Sequence, residues 1–382
     1  MLQPMTATIT DSFEELEDPR IDRTKRHELI NIIIIAICAV ICGADGWTAI
    51  EKFGKAKQDW LETFLTLPEG IPSHDTLGRV FARLNPDVFQ RCFLRWVQGV
   101  SQITQGQVIA IDGKCLRRSH DRRLGKDAIH MVSAWASENH LVLGQRKVDS
   151  KSNEITAIPA LLELLEISGC IVTIDAMGCQ KHIARQITDQ DADYILALKD
   201  NQPHVHEDVR SVFDWADNLG FGEIVHDTYR QVTKGHGRLE IRECWTISDP
   251  ACLAMVAEPG VWQDLTTIIR VCAERRTATE VTRETRYYLS SLPADTPHLA
   301  RTACQAVRRH WSIENELHWV LDIAFREDDC RIRQGHAAEN MAVLRHIALN
   351  LLKQEQSQSI GIKNKRLLAG WDDDYRMKVL SI

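Results

Sequence analysis

The sequence has few of the features that mark secreted, membrane-spanning or zinc-stabilised proteins. Its 11 cysteines include no C-x-x-C pair and no neighbouring histidine pair, which argues against a disulfide framework or a zinc module. The segment MLQPMTATITDSFEELEDPR is acidic where a signal peptide would be basic. The apolar run over residues 29–43 falls short of the roughly 18 to 20 residues that a membrane-spanning helix needs. We therefore expect a cytoplasmic protein with reduced thiols and no membrane association.

The sequence also lacks an excess of positive charge. Its formal net charge is −7, from 46 lysines and arginines against 53 aspartates and glutamates. This balance argues against a protein that coats nucleic acid through a generally basic surface, although a local basic groove is compatible with it. With 382 residues, 44% of them hydrophobic, the chain is long enough for two or three domains around a sizeable core.

Helical periodicity dominates the first hundred residues and predicts an all-helical N-terminal domain over residues 1–100. The segment SHDTLGRVFARL begins with Ser73, a residue type that favours helix N-caps, and its apolar residues share a face that excludes Arg79 and Arg83. Arginines spaced along a short helix can contact a DNA backbone. The alternative is a solvated charged face on an ordinary helical bundle, which is equally compatible with the pattern.

From residue 107 the pattern changes to the two-residue period of β-strands. The segment QVIAIDGKC runs from apolar residues into Asp112, and CIVTIDAMG runs in the same way into Asp175. A hairpin follows the first of these strands, and helices separate the later ones, of which ADYILALK ends at Lys199. Three antiparallel strands followed by alternating helices and strands predict a mixed α/β sheet with right-handed parallel crossovers.

Asp112 and Asp175 are both predicted at the ends of their strands, where ligands bind in such sheets. If the strands are neighbours, about 4.8 Å apart, the two carboxylates converge and repel each other unless a cation lies between them. Mg²⁺ prefers oxygen ligands and retains waters for substrate phosphates. Either aspartate alone is better explained as a turn or cap residue, but the pair favours a metal site.

A third acid is predicted in the segment LARTACQAVRRHWSIENELHWVLD. Its apolar residues follow a helical period, and Glu314 falls in phase with them whereas Glu316 points away. A carboxylate on a buried helix face is costly unless it is paired or binds a metal. Glu314 is therefore the candidate ligand and Glu316 is expected to be an ordinary surface residue. The alternative for Glu314 is a structural ion pair with an arginine.

Several motifs together resemble those of one family. The segments IAIDGK, KSNEITAIP, VTIDAMGCQ, YILALKDNQP, RRHWSIENELHWVLD and GHAAENMAVLRHIALNLLK are similar to segments of the H-repeat-associated transposases. These are bacterial insertion-sequence transposases with an Asp-Asp-Glu active site on an RNase H-like fold. The resemblance implies that Asp112, Asp175 and Glu314 form the catalytic triad and hold two Mg²⁺ or Mn²⁺ ions. It also implies that the strands of the two aspartates lie side by side.

The resemblance also divides the chain. The N-terminal GIPSHDTLGRVFARL is similar to the region associated with this family, and an RNase H-like catalytic domain is implied over residues 101–382. A β-rich insertion is implied at about residues 220–293, where segments such as RLEIRECWTI alternate like strands. Related families carry a Tyr, Arg, Glu, Lys signature around the acid. The matching positions here hold Val307, His310, Glu314 and Leu321, so the roles of the missing three residues do not transfer.

The implied reaction is metal-dependent hydrolysis of DNA at the ends of an insertion sequence, followed by attack of a 3′ hydroxyl on target DNA. The expected partners are double-stranded DNA and a second copy of the chain. Further candidate DNA contacts lie at the end of the strand ADYILALK and just before Glu314. They are Lys199, Asn201, Gln202, Arg308, Arg309, His310 and Trp311. Turn chemistry is an equal alternative for the first three. Trp311 fits a core position better than a stacking role.

Two other functions are compatible with the same residues. An RNase H-like nuclease or junction resolvase would share the triad and cut DNA without joining strands, but it would have no use for the insertion. An inactive descendant would bind DNA through its N-terminal helices without cleaving it. Carboxylates at all three triad positions disfavour this second alternative.

Overall fold

The computed structural model describes residues 9–100, 105–120, 127–148, 153–235 and 237–381. Helices fill the first of these ranges, because its apolar residues recur at helical spacing. They are α1 (Leu29–Ile41), α2 (Trp47–Ala56), α3 (Gln58–Leu61), α4 (His74–Arg83) and α5 (Pro86–Val100). Ser73 caps α4 as predicted, since its side chain accepts a hydrogen bond from the backbone of Thr76.

The central part of the described chain is built on one nine-stranded sheet in the order β3-β2-β1-β4-β5-β9-β8-β7-β6. β1 is antiparallel to β2 and parallel to β4, and β4 is parallel to β5, so the predicted mixed α/β sheet is confirmed. The strands are β1 (Val108–Leu116), β2 (Ile129–Ala136), β3 (Leu141–Lys147), β4 (Ile171–Ile174), β5 (Asp193–Leu198), β6 (His226–Gly235), β7 (Arg238–Ile247), β8 (Thr267–Arg276) and β9 (Val281–Ser290).

The strand-rich segment predicted after β5 extends this sheet. β9 pairs antiparallel with β5, and β8, β7 and β6 follow in antiparallel order. The inserted strands therefore belong to the same sheet as the core strands. Backbone hydrogen bonds between β5 and β9 join the two parts.

Helices cover the sheet and continue to the end of the chain. They are α6 (Glu154–Leu162), α7 (Lys181–Thr188), α8 (Pro203–Asn218), α9 (Pro250–Val256), α10 (Leu299–His310), α11 (Trp319–Phe325), α12 (Ala337–Gln354), α13 (Ile362–Trp371) and α14 (Asp373–Leu380). α10 crosses one face of the sheet and packs against β1, β4, β6 and β7. No helix in these described ranges is both long enough and apolar enough to cross a membrane.

The N-terminal helices and the sheet share one hydrophobic core. α12 is buried over most of its length and packs against α1, α4, α5 and β3. The Asn340 side chain on α12 donates hydrogen bonds to the carbonyl oxygens of Phe81 (2.8 Å) and Leu84 (3.1 Å). A division of the chain at residue 100 stays a prediction, since this core is continuous across it.

Candidate active site

Asp112 and Asp175 each directly follow the last residue pair of the β1–β4 ladder. The parallel pairing of β1 with β4 stops at Ile111 and Ile174, and each aspartate is the next residue of its chain. The prediction that Asp112 ends its strand is wrong, because β1 continues beyond it while still paired with β2. What ends there is the ladder with β4, and both carboxylates emerge from its last rung.

Asp175 is held by the backbone that follows it. Its Oδ1 accepts hydrogen bonds from the N–H groups of Met177 (3.0 Å) and Gly178 (3.4 Å), which makes it the N-cap of the short 3₁₀ turn Ala176–Gly178. The cap predicted as the alternative function of this aspartate is therefore present. It fixes the orientation of the carboxylate and does not exclude a second role for Oδ2.

Mutual repulsion of carboxylates marks the site. Burial raises the pKa of Asp112, and the charges of Asp175, Glu154 and Glu314 raise it further, to about 7. Burial and the charge of Asp175 also raise the pKa of Glu154. Four acidic side chains from β1, the end of β4, α6 and the segment after α10 thus influence one another, and this local excess of negative charge suits a cation.

Glu154 is a member of the site that sequence reasoning missed. It is the first residue of α6, and the motif KSNEITAIP contained it without indicating a role. Its Oε1 lies 3.0 Å from Nε2 of His130 on β2. A Cβ atom on Gly113 would collide with the Glu154 carboxylate, so the glycine after Asp112 makes room for it.

Glu314 lies in a π-helical segment, Ile313–His318, between α10 and α11. The predicted uninterrupted α-helix is wrong here, because the wider π turn changes the direction of each following side chain. Glu314 is consequently exposed rather than in phase with the buried residues, and it forms no ion pair within the described part of the chain. Its charge nevertheless contributes to raising the pKa of Asp112.

Glu316 is not the ordinary surface residue that was predicted. It is half-buried, and its Oε2 lies 2.5 Å from Nδ1 of His140 and 3.7 Å from Nζ of Lys353. These contacts connect the π segment to the turn between β2 and β3 and to α12.

His318, the last residue of the π segment, contacts Asp112. Its Nδ1 lies 3.5 Å from Asp112 Oδ2, and its Nε2 is buried without a hydrogen-bond partner among the described residues. Burial and the charge of Lys114 lower the pKa of His318 to about 3, so the imidazole is neutral at pH 7. No sequence signal indicates this contact, because it joins residues more than 200 positions apart.

Lys114 connects the strand of Asp112 to the helix that follows Glu314. Its Nζ donates hydrogen bonds to Asp322 (2.6 Å), to Glu327 (2.9 Å) and to the carbonyl oxygen of His318 (3.4 Å). Glu327 is also paired with Arg345 of α12 at 3.5 Å. This set of buried and half-buried charges, Lys114, Asp322, Glu327 and Arg345, is called the Lys114 network below.

The residues ahead of Glu314 have different surroundings. His310 is half-buried with Nδ1 3.1 Å from Thr173 Oγ1, and burial lowers its pKa to about 4 against the opposing charge of Asp175. Trp311 is 36% exposed, so its predicted core position is wrong. The guanidinium of Arg286 lies 4.4 Å from the Trp311 ring centroid, and this contact holds the ring at the surface.

The other predicted DNA contacts are partly engaged within the chain. Asn201 donates to the carbonyl oxygen of Ala176, and Gln202 donates to that of Cys179 at 3.0 Å, so both amides brace the loop after Asp175. Lys199, Arg79 and Arg83 are exposed. Arg308 donates to Gln231 at 3.2 Å and Arg309 pairs with Glu138.

The donor chemistry of the site fits a hard divalent cation. Within the described ranges, no three His, Cys, Asp or Glu side chains already surround one metal position. Mg²⁺ does not need such a cage, because it binds through one or two carboxylates together with waters and substrate phosphates. Asp112 and Asp175 match this requirement, since their carboxyl groups follow the last rung between two adjacent strands and the charge of Asp175 acts on Asp112.

Comparison with known proteins gives two family matches that together cover most of the chain. Residues 103–351 match the model described as "Transposase DDE domain", and residues 10–97 match "DDE_Tnp_1-associated". Together with the mixed sheet, the first match confirms the predicted RNase H-like fold.

Relatives from Escherichia coli are similar over nearly their whole length. The "H repeat-associated putative transposase YhhI" of strain K12 is 40% identical over 361 residues, covering 93% of each chain. The "Putative transposase YncI" of strain O157:H7 is 39% identical over 379 residues, covering 98% of this chain and 94% of the relative. A solved piggyBac transposase synaptic complex with hairpin DNA aligns over 97% of this chain and 77% of its own, with 9% identity and a TM-score of 0.42. The two family matches and the two E. coli relatives agree, and this chain belongs to the H-repeat-associated branch of the DDE transposases.

Proposed function

We propose that this transposase cuts DNA at the ends of an insertion sequence and joins the freed 3′ ends to target DNA, using Asp112, Asp175 and Glu314. The observation that carries the proposal is the convergence of the two aspartates beyond the β1–β4 ladder, with the charges of Asp175 and Glu314 both acting on Asp112. Such repulsion is relieved when a cation binds between the acids.

Asp112 and Asp175 would hold Mg²⁺ or Mn²⁺, with Glu314 as the third ligand. Bound there, a pair of such ions supplies an activated nucleophile and stabilises the leaving oxygen of an in-line phosphoryl transfer. The chain provides the positions of the ligands. The cap at Met177 and Gly178 orients Asp175, and the neutral His318 fills the space beside Asp112 without adding a competing charge.

The proposed partners are the DNA at the element ends, the target DNA and a second copy of the chain. The exposed side chains of Arg79, Arg83, Lys199 and Trp311 are suited to contact DNA directly. Arg308 and Arg309 would exchange their present partners for DNA phosphates. His310 would contribute to DNA binding indirectly, through its contact with Thr173. Asn201 and Gln202 support Asp175 through the loop that they brace.

The test uses the purified chain, Mg²⁺ and a DNA fragment that spans its own gene and flanks, with nicks and joined products mapped by sequencing. Asp175→Asn keeps cap acceptors for the 3₁₀ turn but removes the charge, so cleavage should fall by at least about 1000-fold. Asp249→Asn is the matched control, because Asp249 caps α9 through Ala251 (2.9 Å) and Cys252 (3.4 Å) in the same way. It should cleave like the wild type.

Each alternative function has its own outcome in this assay. Unlocalised cutting without joined products would indicate a nuclease. Tight DNA binding without cutting at any Mg²⁺ or Mn²⁺ concentration would indicate an inactive descendant, and unchanged cleavage by Asp175→Asn would contradict the assignment of the triad.

A further inference from the structure

A cleft of about 730 Å³ lies between the N-terminal helices and the segment that precedes α12. One side is formed by α2 and α4, which contribute Trp47 and Arg79, and the other by residues 331–337, which contribute Arg331 and Arg333. The cleft thus joins the N-terminal helical region to the part of the chain that follows Glu314.

The cleft carries positive charge that the protein does not neutralise. Arg79 and Arg331 are exposed, and neither forms an ion pair with any residue that the structure describes. Arg333 likewise has no acidic partner in the described ranges; its Nε donates to the carbonyl oxygen of Arg118 at 3.0 Å. The acidic residue in the lining is Asp75, which is exposed and lies 3.5 Å from His74.

A second groove shows that arginines without acidic partners are not a general feature of the molecule's grooves. It has a volume of about 480 Å³ and lies between the inserted strands and α10, and it is also rich in arginine. There Arg238 and Arg242 pair with Glu240 at 2.8 and 2.9 Å, and Arg286 pairs with Glu284 at 2.7 Å. These three guanidinium groups are therefore already satisfied by carboxylates, unlike those of Arg79 and Arg331, and Arg308 in the same groove donates to Gln231.

The backbone that presents Arg331 and Arg333 is fixed against α4. The His336 N–H donates to the carbonyl oxygen of Ala82 at 3.1 Å, and Gly335 has a φ of +52°. A Cβ atom at position 335 would collide with the same carbonyl group, so only glycine permits this approach. The two sides of the cleft are consequently held at a set separation, which is the preorganisation that a binding site requires.

One wall of the cleft is also connected to the strand that carries Asp112. The carbonyl group that accepts from Arg333 belongs to Arg118, in the short 3₁₀ helix Arg117–Ser119 that directly follows β1. β1 carries Asp112, so one strand connects the wall of the cleft to the proposed metal site. The neighbouring Arg117 and Arg118 pair with Asp328 and Asp329 and are not counted among its free cations.

We infer that this cleft binds the phosphate backbone of double-helical DNA through Arg79 and Arg331, and guides the duplex from the N-terminal helices to Asp112. This inference rests on the proposed function for its substrate. Arginine is suited to the task because its planar guanidinium matches phosphate geometry. Phosphate contacts of this kind orient a duplex without reading its sequence.

The test measures the affinity of the full-length chain for a 30-base-pair duplex of arbitrary sequence at a series of salt concentrations. Each lost phosphate contact lowers the slope of log K against log[salt] by roughly 0.9. The double variant Arg79→Gln/Arg331→Gln should therefore bind more weakly, with a slope reduced by roughly 1.8. Each single variant should account for about half of this change.

Arg210→Gln is the matched control, since Arg210 is an exposed arginine on α8 that pairs with Glu207 at 2.9 Å. It removes the same charge and should leave the slope unchanged. Melting temperatures check that the variants are folded, and the single variants decide the question if the double variant is not.

Asp175→Asn separates this inference from the proposed function. It should fail to cleave, and adding Arg79→Gln/Arg331→Gln to it should still reduce its slope by roughly 1.8. If the wild type does not cleave but the slope falls in the double variant, the cleft stands and the proposed function fails. A wild-type slope in the folded double variant, or in both folded single variants, overturns the inference.

Discussion

The carboxylate of Asp175 accepts two backbone hydrogen bonds as an N-cap and at the same time raises the pKa of Asp112. These two effects have opposite signs in the energetics of folding. The cap stabilises the turn Ala176–Gly178, while the repulsion between the two carboxylates destabilises the metal-free protein. Single substitutions at position 175 can separate the two effects, because asparagine retains a cap acceptor and alanine does not.

We expect Asp175→Asn to be at least as stable as the wild type in the absence of divalent metal. Asp175→Ala should be less stable than Asp175→Asn by about 1 kcal/mol, the usual value of an N-cap. Urea unfolding at pH 7 with a chelator measures both differences. An asparagine variant less stable than the alanine variant would show that the cap hydrogen bonds do not contribute as the geometry indicates.

The lowered pKa of Glu327 predicts how the unfolding free energy depends on pH. Burial opposes its ionisation, but the charges of Lys114 and Arg345 lower its pKa to about 2. The folded-state pKa therefore lies below the unfolded value of about 4.3, so the stabilising contribution is present above pH 4.3 and is lost as the pH falls toward 2. We expect Glu327→Gln to remove up to about 3 kcal/mol of this pH dependence. Its unfolding free energy, followed from pH 6 to pH 2, should fall less steeply than that of the wild type.

The exposed Glu258→Gln is the control for losing one carboxylate, and its curve should parallel that of the wild type. A Glu327→Gln curve that also runs parallel would contradict the stabilising role of the Lys114 network. The loss of the buried ion should also lower the stability of Glu327→Gln at pH 7.

At the scale of elements, the π-helical segment Ile313–His318 decides where the third acid lies. A regular α-helix would have placed Glu314 among the buried residues, and the wider turn instead exposes it, while its charge still acts on Asp112. The Lys114 network fixes the far end of the segment, through hydrogen bonds from β1 to the His318 carbonyl group and to Asp322. The geometry of the candidate site thus depends on contacts between β1 and α11.

We expect Lys114→Met to lower the unfolding free energy by about 3 to 5 kcal/mol, because it leaves Glu327 buried with a weaker cationic environment. Lys114→Met combined with Glu327→Gln should be less destabilised than the sum of the two single variants, as measured in a double-mutant cycle. Lys55→Met is the control, since Lys55 is 62% exposed in its pair with Glu51. It should cost less than about 1 kcal/mol. Additive effects of the two network substitutions would exclude the coupling.

The loop before α12 gives a second prediction at this scale. We expect Gly335→Ala to be destabilising by more than about 2 kcal/mol, because alanine is strained at this positive φ and would collide with the Ala82 carbonyl group. Gly361→Ala is the control, since a Cβ atom there has no neighbour within 4 Å. Thermal unfolding of both variants measures the difference, and equal melting temperatures would contradict the close approach of this loop to α4.

At the scale of the whole molecule, the helical region and the catalytic sheet depend on each other for burial. α1 is almost entirely buried and packs against α12, which also contacts α4, α5 and β3. Removal of the first hundred residues would expose the apolar surface of α12, and an exposed surface of this kind favours aggregation.

We expect the fragment 101–382 not to fold as a stable monomer when it is produced alone. Size-exclusion chromatography and circular dichroism should show aggregated or partly unfolded material, and co-production of the fragment 1–100 should restore a soluble complex. A monomeric fragment 101–382 with cooperative unfolding would instead support two independently folding domains with the boundary at residue 100.

The local sequence pattern determined much of this protein. Helical periods predicted the N-terminal helices, the two-residue periods predicted the strands, and the segments ending in Asp112 and Asp175 indicated two acids at one sheet edge. These features depend on residues close in the chain, where side-chain spacing and capping decide the backbone conformation. The order of motifs indicated the family, which the comparisons confirmed.

Only the tertiary structure decided how these elements meet. β1 continues past Asp112 because the β2 hairpin pairs with it there, and Glu314 leaves the helical phase because β1 and α12 hold a π segment. Contacts between residues far apart in the sequence give Glu154, His318 and Lys114 their places in the site. Such contacts also pair Glu316 with His140 and Lys353. Periodicity carries no information about such contacts, because they depend on the packing of whole elements.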